Sequence, residues 1–225
     1  MSDTDSFIEE VTEEVRRDRL FGLLRRYGWI AALVVVLIVG GAAWNEYRKA
    51  QIRAQAQGLG DQILAALAGE TPTSRLAGLE TINTGTPGAE AVVSFIAAAE
   101  AQQAGDTERA VALLDGIAVN GDLPLIYTQI AAFKSLVLQA ETMDSGTRRQ
   151  QLEALAQPGA PLALLAQEQI ALQDVAEGNG DAAIERYQSI LQDAAVSADL
   201  QQRALQVIVA LGGTPEVANL PGIGN

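Results

Sequence analysis

The sequence contains no cysteine and no histidine among its 225 residues. Without cysteine there can be no disulfide, so the hydrophobic core alone must hold the fold together. The same absences remove the commonest general base and the ligands of most zinc sites. There is also no glycine-rich phosphate loop followed by lysine, and no nucleophile elbow. We therefore expect a protein that is not an enzyme and that holds neither a cofactor nor a metal ion.

Positive charge is scarce as well, with 15 Lys and Arg against 28 Asp and Glu and a formal net charge of −13. After residue 45 the chain carries 10 basic and 21 acidic residues. Such a surface repels a phosphate backbone, which argues against nucleic-acid binding. The roughly 180 residues of this part are enough for one helical domain.

One uncharged run dominates the sequence, residues 27–45, which read YGWIAALVVVLIVGGAAWN. A helix rises ~1.5 Å per residue, so the run spans roughly 28 Å, close to the ~30 Å hydrocarbon core of a bilayer. Aromatic residues mark its two ends: Tyr27, Trp29, Trp44 and Tyr47. Amphipathic rings prefer the headgroup region, so the pattern predicts a single transmembrane helix in contact with the lipid bilayer.

Basic residues indicate the orientation of this helix. Five arginines precede it, the last two being Arg25 and Arg26, and three basic residues follow it closely. The positive-inside rule then places the N-terminus in the cytoplasm and residues 46–225 across the membrane, in the periplasm of a bacterium. A cleaved signal peptide is the alternative, with Gly41-Ala42-Ala43 as a cleavage site. Two features favour an uncleaved inner-membrane anchor. The segment before the apolar run is long and acidic, and the run itself is longer than the roughly 7–15 apolar residues of a signal peptide.

Residues 1–26 form the predicted cytoplasmic segment. Apolar residues recur there at helical spacing, with glutamates on the opposite face: Phe7, Ile8, Val11 and Val15. The pattern predicts a short amphipathic helix. It would lie at the membrane interface or dock on a cytoplasmic partner, unless it is only the solvated flank of the anchor.

Two stretches of the distal part repeat each other. Residues 90–118 and 163–191 align without a gap, and residues 125–141 and 147–156 predict two helices of a degenerate unit between them. The positions expected to pack the repeat match in order: Ala98, Gly105, Ala110 and Leu114 in the first stretch, Ala171, Gly178, Ala183 and Tyr187 in the second. Small residues let antiparallel helices approach closely, and bulky ones fill the groove against the next pair.

This spacing resembles the tetratricopeptide repeat, with Ala101 and Asp174 standing where that repeat has an aromatic residue. The resemblance implies an all-α fold, a helical-hairpin solenoid over residues 46–211 behind the anchor. Residues 197–211 predict a capping helix with four residues inward: Leu200, Ala204, Val207 and Leu211. Residues 212–225 are rich in glycine and proline, and we expect an extended tail along a partner or along the solenoid.

The architecture as a whole, together with EEVRRDRLFGLLRRYGWIAALVVV, resembles the YfgM-type family. The resemblance implies an ancillary subunit of the Sec translocon that links it to periplasmic chaperones. Another membrane protein would then contact the anchor, near Arg25, Arg26, Trp29 and Trp44. A periplasmic protein or peptide would bind the solenoid, for which the candidate residues are Gln102, Lys134 and Gln167. An accessory subunit of another inner-membrane assembly, such as a respiratory complex, is the alternative.

Overall fold

A computed structural model of the chain describes the backbone of residues 3–216 and the side chains of residues 25–30 and 33–216. Within that part of the chain the secondary structure is entirely helical, as the sequence predicts. The helices are α1 Asp3–Leu67, α2 Pro72–Glu80, α3 Pro87–Gln103, α4 Thr107–Ala118, α5 Leu125–Leu138, α6 Ser145–Leu155, α7 Ala163–Ala176, α8 Gly180–Gln192 and α9 Ala198–Ala210. The chain divides into two compact units, Met1–Gly58 and Leu59–Asn225.

The backbone of α1 is one continuous helix from Asp3. The residues of the expected short amphipathic helix are helical and run on into the rest of α1, since no proline and a single glycine, Gly22, occur in residues 1–26. The amphipathic character of this segment stays a prediction. The side chains of its expected apolar face, Phe7, Ile8, Val11 and Val15, lie outside the described residues.

The part of α1 between Arg25 and Leu67 contains the apolar stretch, and the most apolar 18 residues in it have a mean hydropathy of 2.0. None of these 18 residues is buried by the rest of the protein. Leu37, for example, is 66% exposed. By length and composition, α1 is the one helix in the described part of the chain that is able to cross a membrane. The limits of the spanning segment, 27–45, remain a prediction.

The second unit begins with a tightly closed corner between α1 and α2. Thr71 caps α2: its hydroxyl accepts the N–H of Ser74 at 3.1 Å, and the hydroxyl of Ser74 accepts the N–H of Thr71 at 3.1 Å. Pro72 occupies the first turn, where its missing N–H costs nothing. Two donors that a helix start would leave unpaired are thereby satisfied.

Two glycine turns end α3 and α7 in the same way. Gly105 has φ +81° and Gly178 has φ +79°, a region that favours glycine. The N–H of Asp106 donates to the carbonyl of Ala101 at 2.9 Å, and the N–H of Asn179 donates to that of Asp174 at 2.8 Å. These are the bonds of a Schellman motif, which reverses the chain into the next helix.

The middle pair of helices differs from the predicted ranges at its inner ends. α5 ends at Leu138 rather than at residue 141, and α6 begins at Ser145 rather than at residue 147. The earlier start has a local cause, because the carboxylate of Asp144 accepts the N–H of Thr147 at 2.8 Å and so caps α6.

From α2 onward, each helix makes its main contacts with the helices next to it in sequence. The core follows the same order in three clusters. The first runs from the end of α1 to α5 and includes Leu79 and Leu114, the second joins α5, α6 and α7 through Leu152, and the third joins α7, α8 and α9 around Tyr187. Among the successive pairs from α2 to α9, the contact between α5 and α6 is the smallest.

The inward face of α9 differs from the predicted one. Leu200 and Ala204 are buried as expected, but the third buried residue is Ile208, whereas Val207 and Leu211 are only partly buried. The buried stripe follows four-residue steps, so it winds slightly differently around the helix from the expected four-three-four stripe. Of the tail predicted over residues 212–225, the part beyond residue 216 lies outside the described residues.

Candidate protein-binding groove between α3 and α5

The helices α3 and α5 border an apolar groove of about 300 Å³. α3 contributes Ala98, Ala99 and Gln102 to its walls. α5 contributes Phe133, Lys134, Val137 and Leu138, and Leu114 of α4 lines it as well. Small alanines on α3 leave room between the helices, and the larger α5 side chains form the opposite wall. Val137 is 37% exposed, so apolar surface is open to a partner.

Lys134 stands apart from the other cations of the second unit. Each of the six arginines in this unit forms a hydrogen bond to a residue on a helix other than its own. The pairs are Arg75–Glu100, Arg109–Glu80, Arg148–Leu136 carbonyl, Arg149–Asp174, Arg186–Asp174 and Arg203–Glu168. Across the described residues of this unit, Lys134 is the one cation for which no hydrogen bond or ion pair is found. The arginines therefore hold helices together, and Lys134 is left available for a ligand.

The pKa values of the arginines also show that these side chains interact with groups on other helices. The hydrogen bond to Asp174 raises the pKa of Arg149, and the hydrogen bond to Glu168 raises the pKa of Arg203. Arg148 is buried, and burial lowers its pKa. Its guanidinium donates to the Leu136 carbonyl at 2.9 Å, at the end of α5, where the helix dipole favours a cation.

The structure brings two of the three predicted binding residues together. Gln102 and Lys134 line the same groove, whereas Gln167 lies in a separate depression between α7 and α8, beside Glu185 and Arg186. The sequence pattern did not predict a role for Phe133 and Val137, although both are apolar and lie at helical spacing. Their partial exposure follows from the arrangement of α3 and α5, which the sequence does not display.

A larger cavity, of about 520 Å³, lies beside α2, α3 and α4. Its one cation, Arg109, donates to the carboxylate of Glu80 at 2.6 and 2.8 Å. Glu90 lines the cavity too, so its charged groups give an anionic ligand no open partner. The smaller groove with Lys134 is the better candidate.

The residues predicted to pack the repeat lie inside the second unit. Six of them are at most 3% exposed: Ala98, Ala110, Leu114, Ala171, Ala183 and Tyr187. The remaining two, Gly105 and Gly178, form the turns described above. Burial raises the pKa of Tyr187 from 10.0 to about 12, and its hydroxyl has no hydrogen-bond partner.

The residues predicted for the membrane interface are all at least partly exposed on α1: Arg25, Arg26, Tyr27, Trp29, Trp44 and Tyr47. The guanidinium of Arg26 lies 6.0 Å from the ring centre of Tyr27, within reach of a cation–π interaction. The rings of Trp44 and Tyr47 are 6.3 Å apart. Trp44 lies fifteen positions after Trp29, or roughly 22 Å further along the helix.

Among the described residues, no three His, Cys, Asp or Glu side chains cluster as metal ligands do. Comparison of the chain with protein-family models, with curated proteins and with solved structures finds no match.

Proposed function

We propose that this chain is a non-enzymatic scaffold, anchored in a membrane by α1, that binds protein partners with its helical unit. The observation that carries the proposal is the apolar groove between α3 and α5 with the unpaired Lys134 at its wall. Open apolar surface next to one available charge is typical of a peptide-binding surface.

The helical hairpins are best understood as a tetratricopeptide-like solenoid. Three features support this interpretation: the buried alanines at matching positions, the two matching glycine turns, and packing between helices that are neighbours in sequence. Solenoids of this kind bind extended or helical segments of other proteins.

The resemblance to the YfgM-type family supports a narrower proposal, namely an ancillary subunit that links the Sec translocon to periplasmic chaperones or clients. In this arrangement the N-terminus is cytoplasmic and the second unit is periplasmic, as the arginines before the apolar run indicate.

Purification of the intact chain from membranes in mild detergent, followed by mass spectrometry, tests the narrower proposal. Recovery of translocon subunits supports it, and recovery of respiratory subunits instead supports the alternative assembly. Protection of residues beyond Trp44 from a membrane-impermeant label added to intact cells would contradict the orientation.

A second experiment tests the groove itself. A photo-cross-linking amino acid at Val137 should capture a protein partner in cells, while the same amino acid at the exposed Gln202 of α9 should not. Lys134→Gln should reduce the yield from Val137, and Lys49→Gln, the same change at the other lysine of the chain, should leave it unchanged. Equal capture at Val137 and Gln202 would contradict the groove as the binding site.

A further inference from the structure

The chain beyond α9 returns along the surface of α8. Gly212 has φ +82°, which turns the chain back after the helix. Gly213 then fits closely between two side chains, since a Cβ at this position would lie 3.0 Å from both Ile184 and Ile208. A Cβ here would require these side chains to shift by a few tenths of an ångström, so glycine allows the backbone its close approach to α8.

A single glutamine holds the segment that follows. The Nε2 of Gln188 donates to the carbonyl of Thr214 at 2.9 Å, and its Oε1 accepts the N–H of Glu216 at 3.1 Å. The Nε2 of Gln192 lies 3.4 Å from the carboxylate of Glu216. A carbonyl and an N–H two residues apart face the same side of an extended chain, so one amide pairs with both.

The amide of Gln188 binds main-chain atoms of the tail, so these contacts do not depend on the tail's side chains. Both hydrogen bonds of Gln188 go to main-chain atoms, and Pro215, between the two bonded residues, has no N–H to offer. The residues Ile184, Gln188 and Gln192 are four apart, so they form one stripe along α8, the α8 stripe. It offers an apolar contact at one end and amides along the rest.

We propose that the α8 stripe is a binding site for extended polypeptide, and that residues 213–216 of the chain's own tail occupy it. The proposal deepens the proposed function, because it gives the scaffold a second protein-binding site whose access the tail controls. The tail is joined to α9 by two residues, so its effective concentration at the stripe is on the order of millimolar, and a competing segment must displace it.

A peptide-binding experiment tests the proposal directly. The probe is a fluorescent synthetic peptide with the sequence of residues 212–225, and binding is followed by anisotropy to the detergent-solubilised chain. A variant that ends at Gly213 should bind the peptide at least tenfold more tightly than the intact chain does. Gln188→Ala in that variant should weaken binding about tenfold, and Gln206→Ala, at an exposed position of α9, should not. No binding to the shortened chain, or equal binding to both chains, would overturn the proposal.

Hydrogen exchange on the intact chain gives a test that does not require truncation. Gln188→Ala should speed the exchange of the Glu216 amide at least severalfold, and Gln206→Ala should leave the rate unchanged. Equal rates in both variants would show that the tail is not held on α8. If the peptide binds the stripe but purification recovers no partner complex, the scaffold function fails while this site stands. Recovery of a complex without peptide binding would instead support the scaffold function and rule out this site.

Discussion

Arg149 of α6 donates a 2.6 Å hydrogen bond to the carboxylate of Asp174 on α7. Arg186 of α8 lies 3.4 Å from the other oxygen of the same carboxylate, whose side chain is 5% exposed. One buried carboxylate therefore joins three helices, α6, α7 and α8, through two arginines.

Asp174→Asn should therefore destabilise the second unit. Breaking a buried ion pair costs about 3–5 kcal/mol, but both arginines retain partial access to water, so we expect about 1–3 kcal/mol. Urea unfolding followed by circular dichroism measures the loss. Glu185→Gln, at an exposed position of α8, is the control and should change stability by less than about 0.5 kcal/mol. Equal losses would show that the Asp174 contacts do not hold α6 in place.

Arg148→Met should lower the free energy of unfolding of the second unit, although the substitution removes a buried charge. The substitution leaves the Leu136 carbonyl at the end of α5 without its donor, and it removes a 3.1 Å contact to Gln169. An unsatisfied buried acceptor costs about 1–3 kcal/mol, so we expect a loss of about 2–3 kcal/mol. Arg109→Met removes an exposed pair and should cost at most about 1 kcal/mol in the same urea titration. A loss no larger than this control would refute the role of Arg148.

Tyr187→Phe should change the alkaline stability of the protein. The folded-state pKa of Tyr187 is about 12 against 10.0 unfolded, so between these values only the unfolded state ionises, and stability is lost as pH rises. The full shift is worth roughly 2–3 kcal/mol. Thermal melts at pH 8 and pH 11 should show a smaller drop for Tyr187→Phe than for the unmodified chain.

At pH 8 the same variant should be at least as stable as the unmodified chain, because the buried hydroxyl makes no hydrogen bond. Tyr127→Phe, at a 40% exposed position of α5, provides the control and should keep the unmodified pH dependence. Identical melts for both variants at pH 11 would rule out Tyr187 as the source of the alkaline loss.

Gly178→Ala and Gly180→Ala should have opposite effects. Gly178 has φ +79°, and no atom would crowd an added Cβ, so the cost is the backbone strain alone, about 1–2 kcal/mol. Gly180 begins α8 and also has room for a Cβ, so alanine there should stabilise by up to about 1 kcal/mol. Chemical denaturation of the two variants checks the sign of each change.

Local patterns let the sequence predict the helices and much of the core. The turn at Gly105 depends on residues within a few positions, and the burial of Ala98 and Ala110 follows from small residues at helical spacing. The face of α9 is harder to predict, since Val207 and Ile208 both continue the pattern from Leu200 and Ala204. Packing against α8 decides between them, and that contact is tertiary.

The candidate sites depend still more on distant partners. Asp174 pairs with an arginine 25 positions away, and Gln188 pairs with a tail 26 and 28 positions away. Lys134 differs from the arginines only because they have acceptors on neighbouring helices. No spacing rule in the sequence separates a bonded cation from an unpaired one. For the same reason Gln102 and Gln167 are equivalent in the sequence, and only the arrangement of the helices distinguishes them.

The small contact between α5 and α6 has a mechanical consequence. Among helices α2–α9 it is the smallest interface between neighbours, so least packing opposes the opening of the unit there. When the two ends of the second unit are pulled apart, we expect the interface between α5 and α6 to separate first, which leaves α2–α5 and α6–α9 as two halves. Each half would keep most of its own core during such an excursion.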